Sequence, residues 1–209
     1  LPYRALGASG ARTSEFVEYM DWLKDQMPDR GVVVVRIGTN DIGAGIATST
    51  IIANAYQAFD TLRSRGHKLC ICAIAPRWQN NLVGTPLTFS QYDSLHKVNA
   101  AYEAYCQDHA SDCQYVDCFT PSVDTDYDDA RPQTDALVDY VHDGYKSAIN
   151  VAWEMIFAIS RWIQPFHMKH GDTSILNGAT AWVKGTGGTI GANSIGVAPN
   201  GHTVSTNST

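Results

Sequence analysis

The chain has 209 residues, enough for one α/β domain and an appendage. Apolar residues make up 44% of the sequence, which is ordinary for a globular core. A formal net charge of −6 without a basic cluster argues against a nucleic-acid partner. No apolar run reaches the ~18 residues of a membrane helix, so no membrane partner is expected. Five cysteines without zinc or Cys-x-x-Cys spacing favour core packing over metal or redox chemistry.

Strand-like apolar runs alternate along the chain with segments of helical periodicity. The strand-like runs are 3–6, 32–37, 69–74 and 114–119. Helical spacing predicts helices over 16–27, 52–62, 95–106 and 145–159, with Thr13 or Ser14 capping the first and Gly66 ending the second. The fourth helix is expected to pack through Tyr145, Ile149, Ala152, Ile156 and Ile159. This alternation predicts a mostly parallel sheet with helices on both sides.

Composition changes near His170, and residues 171–209 are rich in Gly, Thr, Ser and Asn. Helical periodicity ends there, although short apolar alternations persist. The tail is either disordered or the start of a β-module, and Trp182 with the alternations favours the β-module. Residues 1–168 are therefore predicted to form one domain, and residues 169–209 a β-rich extension.

Asn40 is the most informative residue of the sequence. It lies in Gly38-Thr39-Asn40-Asp41, directly after the strand-like run 32–37. The loop after a buried parallel strand lies at the carboxyl edge of the sheet, where open α/β folds place their active sites. A side-chain NH2 directed into a cleft there can stabilise a developing oxyanion. Taken alone, these four residues are also typical of an ordinary turn.

Two further segments carry groups that suit catalysis. Asp139 precedes His142 by three residues, and an Asp bonded to Nδ1 leaves Nε2 of an imidazole free as a base. The segment 7–10, Gly-Ala-Ser-Gly, follows the first strand-like run, where a glycine lets a backbone N–H point into a cleft. Taken singly, the pair is typical of surface polar residues and the glycine segment of a plain strand-to-helix turn.

Together, the three segments resemble the SGNH hydrolases, also called GDSL-type esterases. Residues 8–13 resemble the second block of that family, residues 38–41 the third, and Asp139-x-x-His142 the fifth, in the family's order. The resemblance covers residues 1 to about 165. It implies a three-layer α/β/α sandwich of flavodoxin-like type that hydrolyses esters without a metal or organic cofactor.

The resemblance also implies roles for individual residues. The backbone N–H of Gly10 and the side-chain NH2 of Asn40 would form the oxyanion hole, His142 would be the general base, and Asp139 would orient it. Asp41 and Arg36 are candidate substrate contacts. Asp41 is expected mainly to hold the loop, and Arg36 to face the cleft or pair with an acid such as Asp41. Arg77, Trp78 and Tyr140 are candidates for a sugar site. Trp78 is equally typical of loop packing.

The nucleophilic serine of the family, which belongs to a Gly-Asp-Ser block, is absent from the sequence. The chain begins at Leu1, almost at the second block, which predicts a processed product or a piece of a longer protein. In the family the missing strand is central, between strands that match 3–6 and 32–37 here, and its loss would leave two unpaired strand edges. We therefore expect a preceding segment to supply the strand and the serine, with a permuted nucleophile at Ser174 as the alternative.

The resemblance favours a serine esterase, and specifically a carbohydrate O-acetyl esterase that acts on an acetylated surface polysaccharide. The tail resembles β-modules that follow SGNH domains in phage and bacterial surface proteins, which predicts an extracellular or virion-associated setting such as a tail fibre. The competing class is a non-catalytic binding or structural component of a virion or cell surface. A lipase or thioesterase would need a long apolar acyl-binding surface, which the sequence does not display. Assembly into a homo-oligomer is left open.

Overall fold

The computed structural model describes residues 7, 9–27, 30–77, 87–124, 126, 132–133, 136, 144–163, 189–190 and 203–204. Its contacts divide the chain into two units, Leu1–Gln164 and Pro165–Thr209. The elements of the first unit are α1 (Thr13–Gln26), β1 (Val32–Val35), α2 (Thr39–Gly43), α3 (Thr48–Ser64), β2 (Lys68–Cys72), α4 (Phe89–Asp108), β3 (Cys113–Val116), a 3-10 turn (Thr120–Ser122) and α5 (Tyr145–Ser160).

The described strands of the first unit form a parallel sheet in the order β1-β2-β3. Val33 of β1 is paired with Leu69 of β2, and Ile71 of β2 with Tyr115 of β3. Parallel neighbours need a crossover connection, and α3 and α4 supply it between successive strands. The predicted strand 3–6 lies outside the described residues.

The two faces of the sheet are covered by different helices, because successive strand residues point to opposite sides. Leu69 and Ile71 pack into a cluster with α1, α3 and α4, whose buried members include Leu23, Phe59, Leu95, Val98 and Tyr102. Cys70 and Cys72 pack into a second cluster, against Val151 and Ala158 of α5. Helices therefore lie on both sides of a parallel sheet, and the predicted α/β/α architecture is confirmed.

The predicted packing face of α5 is wrong except at Ile159, which is partly buried against the second cluster. Tyr145 is 84% exposed, Ile156 is 53% exposed, and Ile149 is also exposed. The fully buried positions are instead Ser147, Val151 and Ala158, and Met155 is partly buried. Apolar residues surround most of this helix, so periodicity alone does not single out the stripe that faces the sheet.

The predicted N-cap of α1 is also wrong. Arg12, and neither Thr13 nor Ser14, holds the cap position, where its backbone N–H donates to Oε2 of Glu15 at 2.7 Å. Thr13 is the first helical residue and is fully buried. Its hydroxyl donates a hydrogen bond to Asp41 of α2. The local sequence pattern does not reveal this contact.

The second unit has two described segments, β4 (Thr189–Ile190) and β5 (Thr203–Val204), which pair in parallel. Nothing further of the predicted extension, 169–209, falls within the described residues, and Ser174 lies outside them.

Candidate active site

After β1 the chain passes through Gly38, a position with left-handed backbone conformation and no room for a side chain. Gly38 has a φ of 102° and precedes the five-residue helix α2. A Cβ at Gly38 would lie 2.9 Å from Cδ1 of Ile74 and 3.1 Å from the hydroxyl oxygen of Tyr102. Residues 38–43, here called the site loop, contain α2 and carry Asn40. The site loop is therefore packed directly against the core at the carboxyl edge of the sheet.

Asn40 joins this loop to the glycine segment that precedes α1. Its Nδ2 donates to the backbone carbonyl of Ala11 at 2.9 Å, and Ala11 directly follows Gly10. Gly10 is exposed and has a φ of 76°. The structure thus brings together the two segments that the sequence singled out for an oxyanion hole. An amide NH2 has two hydrogens, so the bond to Ala11 orients the group and uses one of them.

Asp41 ties the same loop to the start of α1. Its carboxylate accepts bonds from the backbone N–H of Thr13, at 3.2 and 3.0 Å, and from the Thr13 hydroxyl at 2.7 Å. Asn54 of α3 donates to that hydroxyl at 3.3 Å. Asp41 is 1% exposed. It belongs to the frame of the site, and its burial removes it from the candidate substrate contacts.

Arg77, a candidate for a sugar site, is instead buried beneath the loop. It follows β2, is 2% exposed, and donates through Nη1 to the backbone carbonyl of Thr39. The same nitrogen lies 3.5 Å from the Thr39 hydroxyl oxygen. Burial lowers the pKa of the Arg77 guanidinium, and the nearby Tyr92 opposes that shift. Arg77 therefore supports the loop and does not line an open sugar-binding surface.

Gln91 completes the support of the loop, and no sequence motif had singled it out. Its Nε2 donates to the carbonyls of Ile42 at 2.9 Å and Gly43 at 3.1 Å, at the end of α2. Its Oε1 accepts from the backbone N–H of Thr88, the N-cap of α4. The capping sequence of α4 was visible in the residues, but its second function at α2 depends on tertiary contacts.

The remaining predicted site residues are only partly described. Arg36 follows β1 and is exposed, while the Asp41 carboxylate proposed as its partner is bonded to Thr13. The assignments that lie outside the described residues are those of Trp78, Asp139, Tyr140 and His142. Their roles stay predictions.

The described residues contain neither a metal-binding cluster nor a membrane-spanning helix. Among them, no group of three or more His, Cys, Asp or Glu side chains is arranged to hold a metal ion. Within the same part of the chain, no helix combines the length and the apolar character needed to cross a membrane.

Residues 1–167 match the GDSL-like Lipase/Acylhydrolase family, and the chain belongs to that family. The resemblance to GDSL-type esterases inferred from three short motifs is thereby confirmed. No curated protein sequence matches the chain.

Solved structures share the fold at low sequence identity. A GDSL-like lipase from Bacteroides thetaiotaomicron has a TM-score of 0.64 and 17% identity, over 76% of this chain and 75% of its own. An acetyl esterase solved with an acetate ion has a TM-score of 0.55 and 21% identity, over 74% and 71%. A carbohydrate esterase of family 3 from Talaromyces cellulolyticus has a TM-score of 0.52 and 20% identity, over 71% and 66%.

Proposed function

We propose that this protein is a serine esterase that removes O-acetyl groups from carbohydrate. The observation that carries the proposal is the bond between Nδ2 of Asn40 and the carbonyl of Ala11, beside Gly10. It sets an oriented amide donor next to an exposed backbone at the carboxyl edge of a parallel sheet. That is the arrangement needed to bind the oxyanion of a tetrahedral acyl intermediate. Membership of the GDSL-like family supports the reaction class.

In the proposed mechanism, a serine oxygen attacks the ester carbonyl while His142 takes the serine proton. Asp139 stabilises the resulting imidazolium, and the Asn40 side chain and the Gly10 N–H bind the negative oxygen. Collapse of the intermediate expels the alcohol, which His142 protonates. Water then attacks the acyl-enzyme by the reverse sequence of proton transfers and releases acetate.

We place the nucleophilic serine on a segment that pairs with the second edge of β1. Among the described residues, β1 pairs only with β2. A parallel strand added on its other side would end beside Gly38, so a residue following that strand would lie close to Asn40. Replacing Ser174 by Ala distinguishes the alternative, because activity should survive that change unless Ser174 is a permuted nucleophile.

The acetylated-carbohydrate substrate is supported by two structural neighbours, whose names are acetyl esterase and carbohydrate esterase. We propose that the substrate is an acetylated surface polysaccharide. We also propose that the protein acts in an extracellular or virion-associated setting. The natural full-length protein should release acetate from acetylated polysaccharide and from 4-nitrophenyl acetate. Absence of turnover on both would favour the competing role, a non-catalytic binding component.

The decisive variant is Asn40→Ala in the natural full-length protein. Because it removes one oxyanion donor, kcat for 4-nitrophenyl acetate should fall by about 10²–10³-fold. The matched control is Asn150→Ala on α5, where Nδ2 donates to the backbone carbonyl of Pro121 at 3.0 Å and not to the segment beside Gly10. That control should lose about 1 kcal/mol of stability and keep its kcat. If Asn40→Ala keeps full turnover, the Asn40 side chain does not belong to the oxyanion hole.

The base is tested by His142→Ala, which should abolish turnover while leaving the circular dichroism spectrum of the folded protein unchanged. A variant that keeps full turnover would rule out His142 as the general base.

A further inference from the structure

We propose that Arg77 is a positioning residue for the oxyanion hole: its guanidinium holds the Thr39–Asn40 peptide in the orientation that catalysis requires. The inference rests on the proposed esterase function and names a group that contacts no substrate itself. It starts from the bond between Nη1 of Arg77 and the backbone carbonyl of Thr39.

The segment that carries Arg77 is itself held rigidly. After β2 ends, Asn99 of α4 binds both backbone groups of Ile74: its Oδ1 accepts from the Ile74 N–H at 2.8 Å, and its Nδ2 donates to the Ile74 carbonyl at 3.0 Å. The N–H of Ala73 donates to Val116 of β3 at 2.9 Å. Every residue from Ala73 to Arg77 is buried. Arg77 therefore projects from a fixed base.

The bond joins the carboxyl ends of two neighbouring strands. Arg77 follows β2, whereas Thr39 begins α2 after β1. The carbonyl that accepts the bond belongs to the peptide that links Thr39 to Asn40, so a displacement of this peptide would move the Cα from which the Asn40 side chain projects.

A side chain with this role should affect the transition state more than substrate binding. Arg77 is 2% exposed and so is covered by protein. The ester carbonyl gains its negative charge only as the intermediate forms, and a misaligned hole would therefore lower kcat and leave KM nearly unchanged. A purely structural role would lower stability without this kinetic pattern.

The test compares Arg77→Met and Arg77→Lys in the natural full-length protein with Asn40→Ala and with the Arg77→Met/Asn40→Ala double variant. For 4-nitrophenyl acetate, Arg77→Met should lower kcat by about tenfold with KM within about twofold, and Arg77→Lys should restore part of the loss. If Arg77 acts through Asn40, the double variant should be no more than about twofold slower than Asn40→Ala. Losses that multiply in the double variant would overturn the proposal.

A matched control is Arg63→Met. Arg63 of α3 donates to Oδ2 of Asp112 at 3.3 Å, and Asp112 directly precedes β3, at the opposite edge of the sheet. This variant removes the same type of side chain, here one that is bonded to the Asp112 carboxylate and to the Tyr105 hydroxyl. It should change stability while leaving kcat as in the parent protein.

Amide hydrogen exchange gives a readout that needs no turnover. The N–H groups of Ile42 and Ala44 donate to the carbonyls of Gly38 and Asn40 at 3.1 and 3.0 Å. Their exchange should become about tenfold faster in Arg77→Met and stay unchanged in Arg63→Met. Unchanged exchange in Arg77→Met would refute the positioning role. If the parent protein shows no turnover, the esterase proposal fails, and this comparison still decides whether Arg77 positions the loop.

Discussion

At the scale of single residues, the site loop is defined by which atoms its polar side chains bind. Asn40 and Asp41 are adjacent in sequence but have different partners, the Ala11 carbonyl and Thr13. Asn40 retains a donor hydrogen, whereas the Asp41 carboxylate is buried and accepts three contacts from one residue. One residue is therefore suited to chemistry and its neighbour to holding the first in place.

Replacing Asp41 by Ala should destabilise the protein by about 2–4 kcal/mol, because it leaves the N–H and hydroxyl of Thr13 buried without their acceptor. Urea unfolding measures the change. Asp93→Ala is the control, since its exposed pair with Lys97, 2.7 Å apart, should contribute less than about 0.5 kcal/mol. Similar losses in the two variants would contradict the anchoring role of Asp41.

The sequence singled out Asn40 and Gly10 as candidates because each stands in a short motif at the end of a strand-like run. It did not predict the contacts of Gln91 and Arg77, since their partners are carbonyls of α2, far away in the chain. A backbone carbonyl has no sequence signature, so contacts of this kind become visible only when the fold brings the elements together.

At the scale of elements, α2 shows how a short helix can be stabilised from outside. It has five residues, fewer than an isolated helix needs to persist in water. Hydrogen bonds from Arg77 at its start and from Gln91 at its end supply the missing support. The close packing of Gly38 on Ile74 and Tyr102 sets the direction in which the helix leaves β1.

Gly38→Ala should therefore cost more stability than the same change at Gly45. Both residues have positive φ, 102° and 68°, so both substitutions strain the backbone by about 1 kcal/mol. Only at Gly38 does the new methyl group also meet Ile74 and Tyr102, which should add about 1–3 kcal/mol. Equal shifts of the urea midpoint in the two variants would show that the packing beneath the loop is looser than described.

The helices also show where sequence patterns fail. The buried stripe of α4 includes Leu95, Val98, Tyr102 and Cys106, as predicted, together with the polar Ser94 and Asn99. On α5 the pattern selected Tyr145 and Ile156, which are exposed, because apolar residues are not confined to one side. Amphipathic spacing identifies a packing face only where a polar face contrasts with it.

At the scale of the whole molecule, the cysteines behave as core side chains. All five are buried and none belongs to a disulfide, and they lie on both faces of the sheet and on α4. Burial raises the pKa of Cys70 and Cys106 to about 12 and that of Cys113 to about 11. The ordinary value is 9.0, so between these values the unfolded chain loses protons that the folded chain keeps.

The free energy of unfolding should consequently fall as the pH rises above about 9, because thiolates stabilise only the unfolded chain there. Urea midpoints at pH 8 and pH 10 measure the change. A triple Cys70→Ala/Cys106→Ala/Cys113→Ala variant should be less stable at pH 8 but show a smaller further loss at pH 10. A loss of the same size in the variant would assign the alkaline sensitivity to other groups.

The bracing of α2 also bears on how the protein responds to heat. Its supports come from α1, from the end of β2 and from α4, all of which share one core cluster. A loop held by a single contact can loosen while the rest of the molecule stays folded. An enzyme with such a loop loses activity below its melting temperature. Here three elements of one core hold α2, so α2 should come loose only when that core unfolds. The temperature at which activity is lost should therefore coincide with the melting temperature of the protein.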